Sequence, residues 1–243
     1  MKVWYFTHKG KVRQNNEDAL LVGKEVIRRE VMDAPAFREM EGKLFVVADG
    51  LGGHAKGETA SYEVLRVLAE LEPFDEKSLH DALWKAKESL LDYVKKEPSA
   101  FGLGTALAGV ILGDKDIIVF NVGDCRVYLK KDRDFVKVSR DHTLVEDLII
   151  AGKINEEDAR FHPKRHVLTS AILGDYSDFE LYTKRIPKKE TALLICSDGF
   201  WEEFSKEDMR FFASLEEPVD AIFQALKEKT QGQRQLHISK ALS

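Results

Sequence analysis

The chain has 243 residues, of which 44% are hydrophobic and 33% charged, and its net charge is −5. Such a length can bury a sizeable core as one large domain or two small ones, and the negative balance offers no general basic field to draw in nucleic acid. No stretch approaches the roughly 18 apolar residues of a membrane span and no long apolar run follows Met1, so neither a span nor a leader is expected and the cytoplasm is the expected compartment.

Residues 3–7 and 19–22 read as strands, the second after a polar segment at 9–18. Residues 25–43 are charged, irregular in pattern and carry Pro35, and read as a surface excursion between strands. Residues 44–48 are a short apolar run of strand formers closed by Asp49-Gly50-Leu51-Gly52-Gly53-His54, so Asp49 is expected where a strand ends and a glycine turn begins. Residues 56–71 and 78–96 read as helices. In the second, Leu79, Leu83, Ala86, Leu90 and Val94 recur at helical spacing, Trp84 and Leu91 widen the stripe, Ser78 is the expected N-cap and Pro98 marks the end.

From Thr105 the rhythm shortens. Residues 105–112, 116–121, 126–130 and 135–139 are expected as strands of an antiparallel meander, parted by Gly113-Asp114, Gly123-Asp124 and Asp132-Arg133. Residues 143–151 and 155–160 read as short helices, 179–185 and 191–196 as strands, and 218–230 as a closing amphipathic helix. With no repeat or linker, a single domain over 1–243 mixing antiparallel sheet and helix is the simplest expectation. Cys125 and Cys196, far apart at apolar strand ends, are expected to be reduced core thiols.

Four acidic positions share a local grammar. Asp49-Gly50 and Asp198-Gly199 each close an apolar run, Asp124 follows another, and Glu17-Asp18 precedes a fourth. Each could be an independent turn. If they meet at one sheet edge they repel one another, and oxygen donors without His or Cys favour Mg²⁺ or Mn²⁺ over zinc as the neutralising ion.

In order along the chain stand Arg13-Gln14-Asn15-Asn16-Glu17-Asp18, Val47-Ala48-Asp49-Gly50-Leu51-Gly52-Gly53-His54, Gly104-Thr105-Ala106, Val122-Gly123-Asp124-Cys125-Arg126, Asp141-His142-Thr143, Leu168-Thr169-Ser170-Ala171-Ile172-Leu173-Gly174 and Ser197-Asp198-Gly199-Phe200-Trp201-Glu202. This series resembles the PP2C-type metal-dependent serine/threonine protein phosphatases (the PPM family), most of all their compact bacterial branch. The resemblance implies an α+β fold: a four-layer αββα sandwich of two antiparallel sheets flanked by helices, with a metal cleft at one end. It implies two Mn²⁺ or Mg²⁺ ions and a weaker third. By position, Asp49 would bridge the two core metals, the Gly50 carbonyl would ligate one and Asp198 the other, and Glu17 and Asp18 would support them, in part through metal-bound water. Asp124 and Glu202 would serve the third metal, and Arg13 would grip the substrate phosphate.

The implied reaction is hydrolysis of phosphoserine or phosphothreonine on proteins by metal-activated water, with no phosphoenzyme. A cytoplasmic monomer opposing a serine/threonine kinase is expected, without nucleic acid or membrane as partner. Chemistry supports the assignment: two cations ~3.5–4 Å apart can generate hydroxide at neutral pH and offset phosphoryl charge, and a guanidinium binds phosphate oxygens as a fork.

The chain departs from the pattern in places. Leu51 stands where many eukaryotic relatives carry His, so His54 does not inherit a catalytic role, and structural roles are expected for His54 and His142. Ser170 stands where many relatives have Arg. The C-terminal strand after about residue 233 is atypical, and Leu236-His237 replaces the usual Asp-Asn, so a family metal ligand is missing at Leu236. The alternative reading is therefore a catalytically weak relative that binds phosphorylated partners or regulates them. Residues 146–165 read by default as a solvated helix and loop, and the resemblance implies a flap near the cleft there.

Overall fold

The structure is a computed structural model that describes residues 1–10, 13–52, 56–189 and 192–230. Gly53, His54, Leu236, His237 and the atypical C-terminal segment lie outside the described residues. The strands are β1 (Lys2–Tyr5), β2 (Asp18–Val22), β3 (Glu25–Ile27), β4 (Ala36–Glu39), β5 (Leu44–Leu51), β6 (Gly104–Leu112), β7 (Asp116–Val122), β8 (Arg126–Lys131), β9 (Asp134–Lys137), β10 (Ile172–Leu173), β11 (Tyr182–Pro187) and β12 (Leu193–Cys196). The helices are α1 (Gly57–Leu68), α2 (Glu76–Lys96), α3 (Leu144–Ile150), α4 (Glu156–Phe161), α5 (Asp198–Trp201), α6 (Lys206–Ser214) and α7 (Val219–Thr230).

Three apolar cores define four layers. The large antiparallel sheet runs β11-β7-β6-β5-β2-β3, with β10 on the end of β6. Side chains alternate across a strand, so this sheet offers two apolar faces. Leu21, Val46, Ala48, Leu107, Ile111 and Phe120 point to one face and pack against Val64, Leu65 and Leu68 of α1 and Leu79, Leu83 and Leu90 of α2. Leu20, Val22, Phe45, Ala108, Val110 and Val119 point to the other and meet Val127 and Leu129 of β8, Leu193 and Ile195 of β12, and Val3 and Tyr5 of β1. The smaller sheet β12-β8-β9 then turns Tyr128, Phe135 and Cys196 outward against Phe200, Phe204, Met209, Phe212 and Ile222 of α5 to α7 and the loop between them. The order is helix, sheet, sheet, helix, as the resemblance implies. Cover on both faces explains why every residue of β6 is buried.

The structure corrects several sequence expectations. Residues 25–43 are no irregular excursion: β3 pairs with β2, and β4 pairs with β1 through Trp4↔Phe37 and Tyr5↔Ala36. The meander is divided, since β6–β7 belong to the large sheet and β8–β9 to the small one. The chain crosses between sheets at Gly123, whose φ of +90° suits glycine and whose added Cβ would lie 2.5 Å from the Ala106 Cβ. Helix α2 starts earlier than expected, and its N-cap is Asp75, which accepts from the Ser78 N–H. Helix α6 has no counterpart in the sequence reading.

Candidate metal centre

Asp49 does not end a strand. Strand β5 continues through Leu51, and Asp49 lies directly opposite Asp18 on β2 and Ala106 on β6. Gly50 is needed because α1 begins against it: a Cβ there would lie 2.1 Å from the Gly57 carbonyl oxygen. The Gly50 N–H donates to the Glu17 carbonyl at 3.0 Å, and Ser61 Oγ of α1 donates to the same oxygen at 2.7 Å. Helix and strand are thereby locked beside the acidic pair. The Thr105 hydroxyl donates to the Asp49 carbonyl at 2.7 Å, and the Asp18 N–H donates to the Asn16 side chain at 3.2 Å.

Like charges on one rung of a sheet are destabilising unless something neutralises them. Burial, first, and then Asp198 push the Asp18 carboxyl up to about 6, against a hydrogen bond from Ser197 Oγ at 2.7 Å that favours its charged form. Burial, followed by Asp18 and Asp198, raises Asp49 well above the carboxylate range.

Asp124 enters from the glycine joint between β7 and β8, and burial, then Asp198 and Asp141, push it up to about 7. Asp198 opens α5. The convergence of these groups is registered by the buried Cys125 thiol, which is raised by burial and by Asp49, Asp124, Asp18 and Asp198 together. Both cysteines are free, buried and shifted upward, as inert core thiols are.

The remaining predicted residues stand around this cluster. Glu17 is raised by burial and pairs with Arg13, Nη1 to Oε2, at 2.8 Å, while the Arg13 side chain stays 65% exposed. Glu202 is raised by burial and then by Asp198, and it pairs with His166 Nδ1 at 2.9 Å. His142 is 1% exposed and accepts from the Gly123 N–H at Nδ1, a structural role next to the Asp124 joint. Ser170 Oγ accepts from the Glu180 N–H at 2.7 Å. The segment carrying α3 and α4 is tied to the rest by His166–Glu202 and by Lys206–Glu156 at 2.5 Å.

Ser197, Asn16 and Thr105 are not among the expected site residues, although all three lie inside the motifs. Their roles depend on partners that only the fold supplies: Ser197 reaches Asp18 across 179 residues.

Among the described residues, no group of three or more His, Cys, Asp or Glu side chains is placed so that it could hold a metal ion. In its chemistry the donor set fits a hard divalent cation, being buried, mutually repelling carboxyl oxygens. Two surface grooves of about 480 and 760 Å³ lie elsewhere, the first lined by Tyr5, Ile27, Arg28, Arg29, Met32 and Arg38, and neither includes a predicted site residue.

Comparison with known proteins agrees with this picture. Residues 31–242 match the family model described as protein phosphatase 2C. The chain is 29% identical over 231 residues to the serine/threonine protein phosphatase PstP of Mycobacterium tuberculosis, covering 92% of this chain and 41% of that protein's length. It is 30% identical over 224 residues to the serine/threonine phosphatase stp of Listeria monocytogenes, covering 86% of this chain and 81% of the relative. The crystal structure of the M. tuberculosis serine/threonine phosphatase PstP/Ppp superposes with a TM-score of 0.77 at 27% identity, over 96% of this chain and 92% of that one. A catalytic domain of PstP in complex with two manganese ions superposes with a TM-score of 0.74 at 25% identity, over 96% and 92% of the two chains.

Proposed function

Since the chain belongs to the protein phosphatase 2C family, we propose that it hydrolyses phosphoserine and phosphothreonine on proteins with the help of Mn²⁺ or Mg²⁺. The observation that carries this reading is the Asp18–Asp49 rung, two carboxyls face to face in one sheet with Asp198 and Asp124 beside them. Asp49, the Gly50 carbonyl and Asp198 would hold two core cations, with Glu17 and Asp18 in support, and Asp124 and Glu202 would hold a weaker third. Cations so held supply an activated water and neutralise phosphoryl charge.

The chain's own residues do the rest. The exposed Arg13 guanidinium offers a fork to the phosphate oxygens, and Glu17 aims it through their ion pair. Ser197 orients the Asp18 carboxylate by its hydrogen bond. The buried cysteines, protonated and apolar, stay out of the chemistry. One domain over 1–243, acting as a cytoplasmic monomer on the products of a serine/threonine kinase, completes the proposal. Among the described residues no helix is long and apolar enough to cross a membrane.

The test is phosphate release from a phosphothreonine peptide with Mn²⁺ titrated. Turnover should rise with Mn²⁺, and Asp49→Asn should lower it by roughly a hundredfold or more, since even residues that only orient ligands cost 10–100-fold. Phosphopeptide binding without metal and without turnover would overturn the proposal.

Leu236 favours the second reading, a catalytically weak phosphoprotein-binding relative, because leucine cannot ligate a cation. If the missing carboxylate limits the site, Leu236→Asp should lower the Mn²⁺ needed for half-maximal turnover while His237→Asp should not. Full activity of the unaltered chain at micromolar Mn²⁺ would show that the ligand is dispensable.

A further inference from the structure

Asp124 and Asp198 reach the centre from separate pieces of chain, and neither piece is rigid by itself. Asp124 follows a glycine joint at φ +90°, and Asp198 opens a helix only four residues long. A helix of one turn does not hold its own orientation, so something outside it must.

A stack of side chains spans the two. Trp201, at the far end of α5 from Asp198, donates from Nε1 to the Asp124 carbonyl oxygen at 2.9 Å. Arg126, two residues after Asp124, lies over the indole with its guanidinium carbon 3.5 Å from the ring centroid. Its edges are fixed in turn. Nε donates to the Asp141 oxygens at 3.1 and 2.9 Å, Nη2 donates to Oδ2 at 2.6 Å, and Nη1 donates to the Tyr128 hydroxyl at 3.1 Å. Asp141 is 3% exposed and also meets Lys137 Nζ at 3.3 Å. Little slack remains between Asp141, anchored beyond β9, and the turn of α5 that carries Asp198.

We infer that Trp201 and Arg126 are positioning residues that hold Asp124 in place relative to Asp198, and that this brace sets the affinity of the weaker cation proposed for Asp124. The inference rests on the reading of the centre as a divalent-cation site. Indole is required as donor, because phenylalanine keeps the face under Arg126 but loses the N–H. Arginine is required above it, because lysine lacks the planar face and the fork that Asp141 grips.

Calorimetric titration of the metal-free full chain with Mn²⁺, without substrate, tests this. Trp201→Phe should weaken the weakest binding event on the order of tenfold, as loss of a ligand-orienting partner does. The tighter events should stay as they are, the metal-free melting temperature should fall only as far as one lost hydrogen bond lowers it, and Asp124→Asn should remove the same weak event. An unchanged isotherm in a folded Trp201→Phe protein, or an equal weakening of every event, overturns the brace. An unchanged isotherm in Asp124→Asn overturns instead the reading of Asp124 as a ligand. Should Trp201→Phe not fold, the indole N–H resonance of Trp201 in the unaltered chain serves. It should move during the weakest step of a Mg²⁺ titration, and a stationary resonance counts against the inference.

Discussion

Asp18 and Asp49 share a rung, and the energetic consequence is a pH dependence of opposite sign to that of an ordinary salt-bridged carboxylate. In the unfolded chain these acids titrate near the usual ~4. Folding pushes Asp18 up to about 6 and Asp124 up to about 7, burial being the main cause, and raises Asp49 as well. The folded, metal-free chain therefore binds protons that the unfolded chain has released between about pH 4 and 7, and stability falls as pH rises through that window. Melting temperatures in EDTA should drop from pH 5 to pH 8, and excess Mn²⁺ should restore the loss. A flat profile in EDTA would show that these carboxyls are not strained by folding. The positions of the acids were legible in the sequence because each sits in a short motif. What was not legible is the company they keep. Arg126 finds Asp141 15 residues away, Trp201 finds Asp124 77 away and Ser197 finds Asp18 179 away, distances at which spacing along one chain carries no signal.

At the scale of elements, periodicity succeeded where helices are long and failed where elements are short. The α2 stripe of Leu79, Leu83, Ala86 and Leu90 is buried as its spacing requires. Strands β3 and β4 have three and four residues, too few for alternation to register, and exist because β2 and β1 supply partners. Helix α6 buries only Met209, Phe212 and Ala213, a weak stripe, but its start was readable. Ser205 and Asp208 form a capping box in which each side chain accepts the other's backbone N–H. Ser205→Ala should therefore cost about 1 kcal/mol in a urea melt. Because α6 packs on the small sheet and not on the aspartates, activity at saturating Mn²⁺ should be retained. A change below a few tenths of a kcal/mol would mean that packing alone holds the helix start. Asp49 shows the opposite failure, since a glycine after an apolar run reads as a strand end although α1 crossing over Gly50 is the true reason for it.

At the scale of the molecule, the layer order followed from the family resemblance and not from composition or spacing, which suggested one continuous meander. The division into two sheets depends on Gly123, where positive φ and the nearby Ala106 leave no room for a side chain. Gly123→Ala should destabilise the chain by about 3 kcal/mol or more, combining backbone strain with overpacking between the sheets. An alanine tolerated there in a denaturant titration would show that the joint can relax. The same joint delivers Asp124, so the two sheets meet where the chemistry is proposed to occur.

The facing carboxyls of β2 and β5 have one more consequence. Burial raises Asp18, Asp49 and Asp124 together, so folding favours the protonated forms of the same oxygens for which cations are proposed. Cations entering there would compete with hydrogen ions for Asp124 and Asp49, and in weakly buffered solution at neutral pH the filling of the centre would be heard as acid. Acidity and metal supply would thus compete for the same oxygens, and the proposed activity would depend on their ratio.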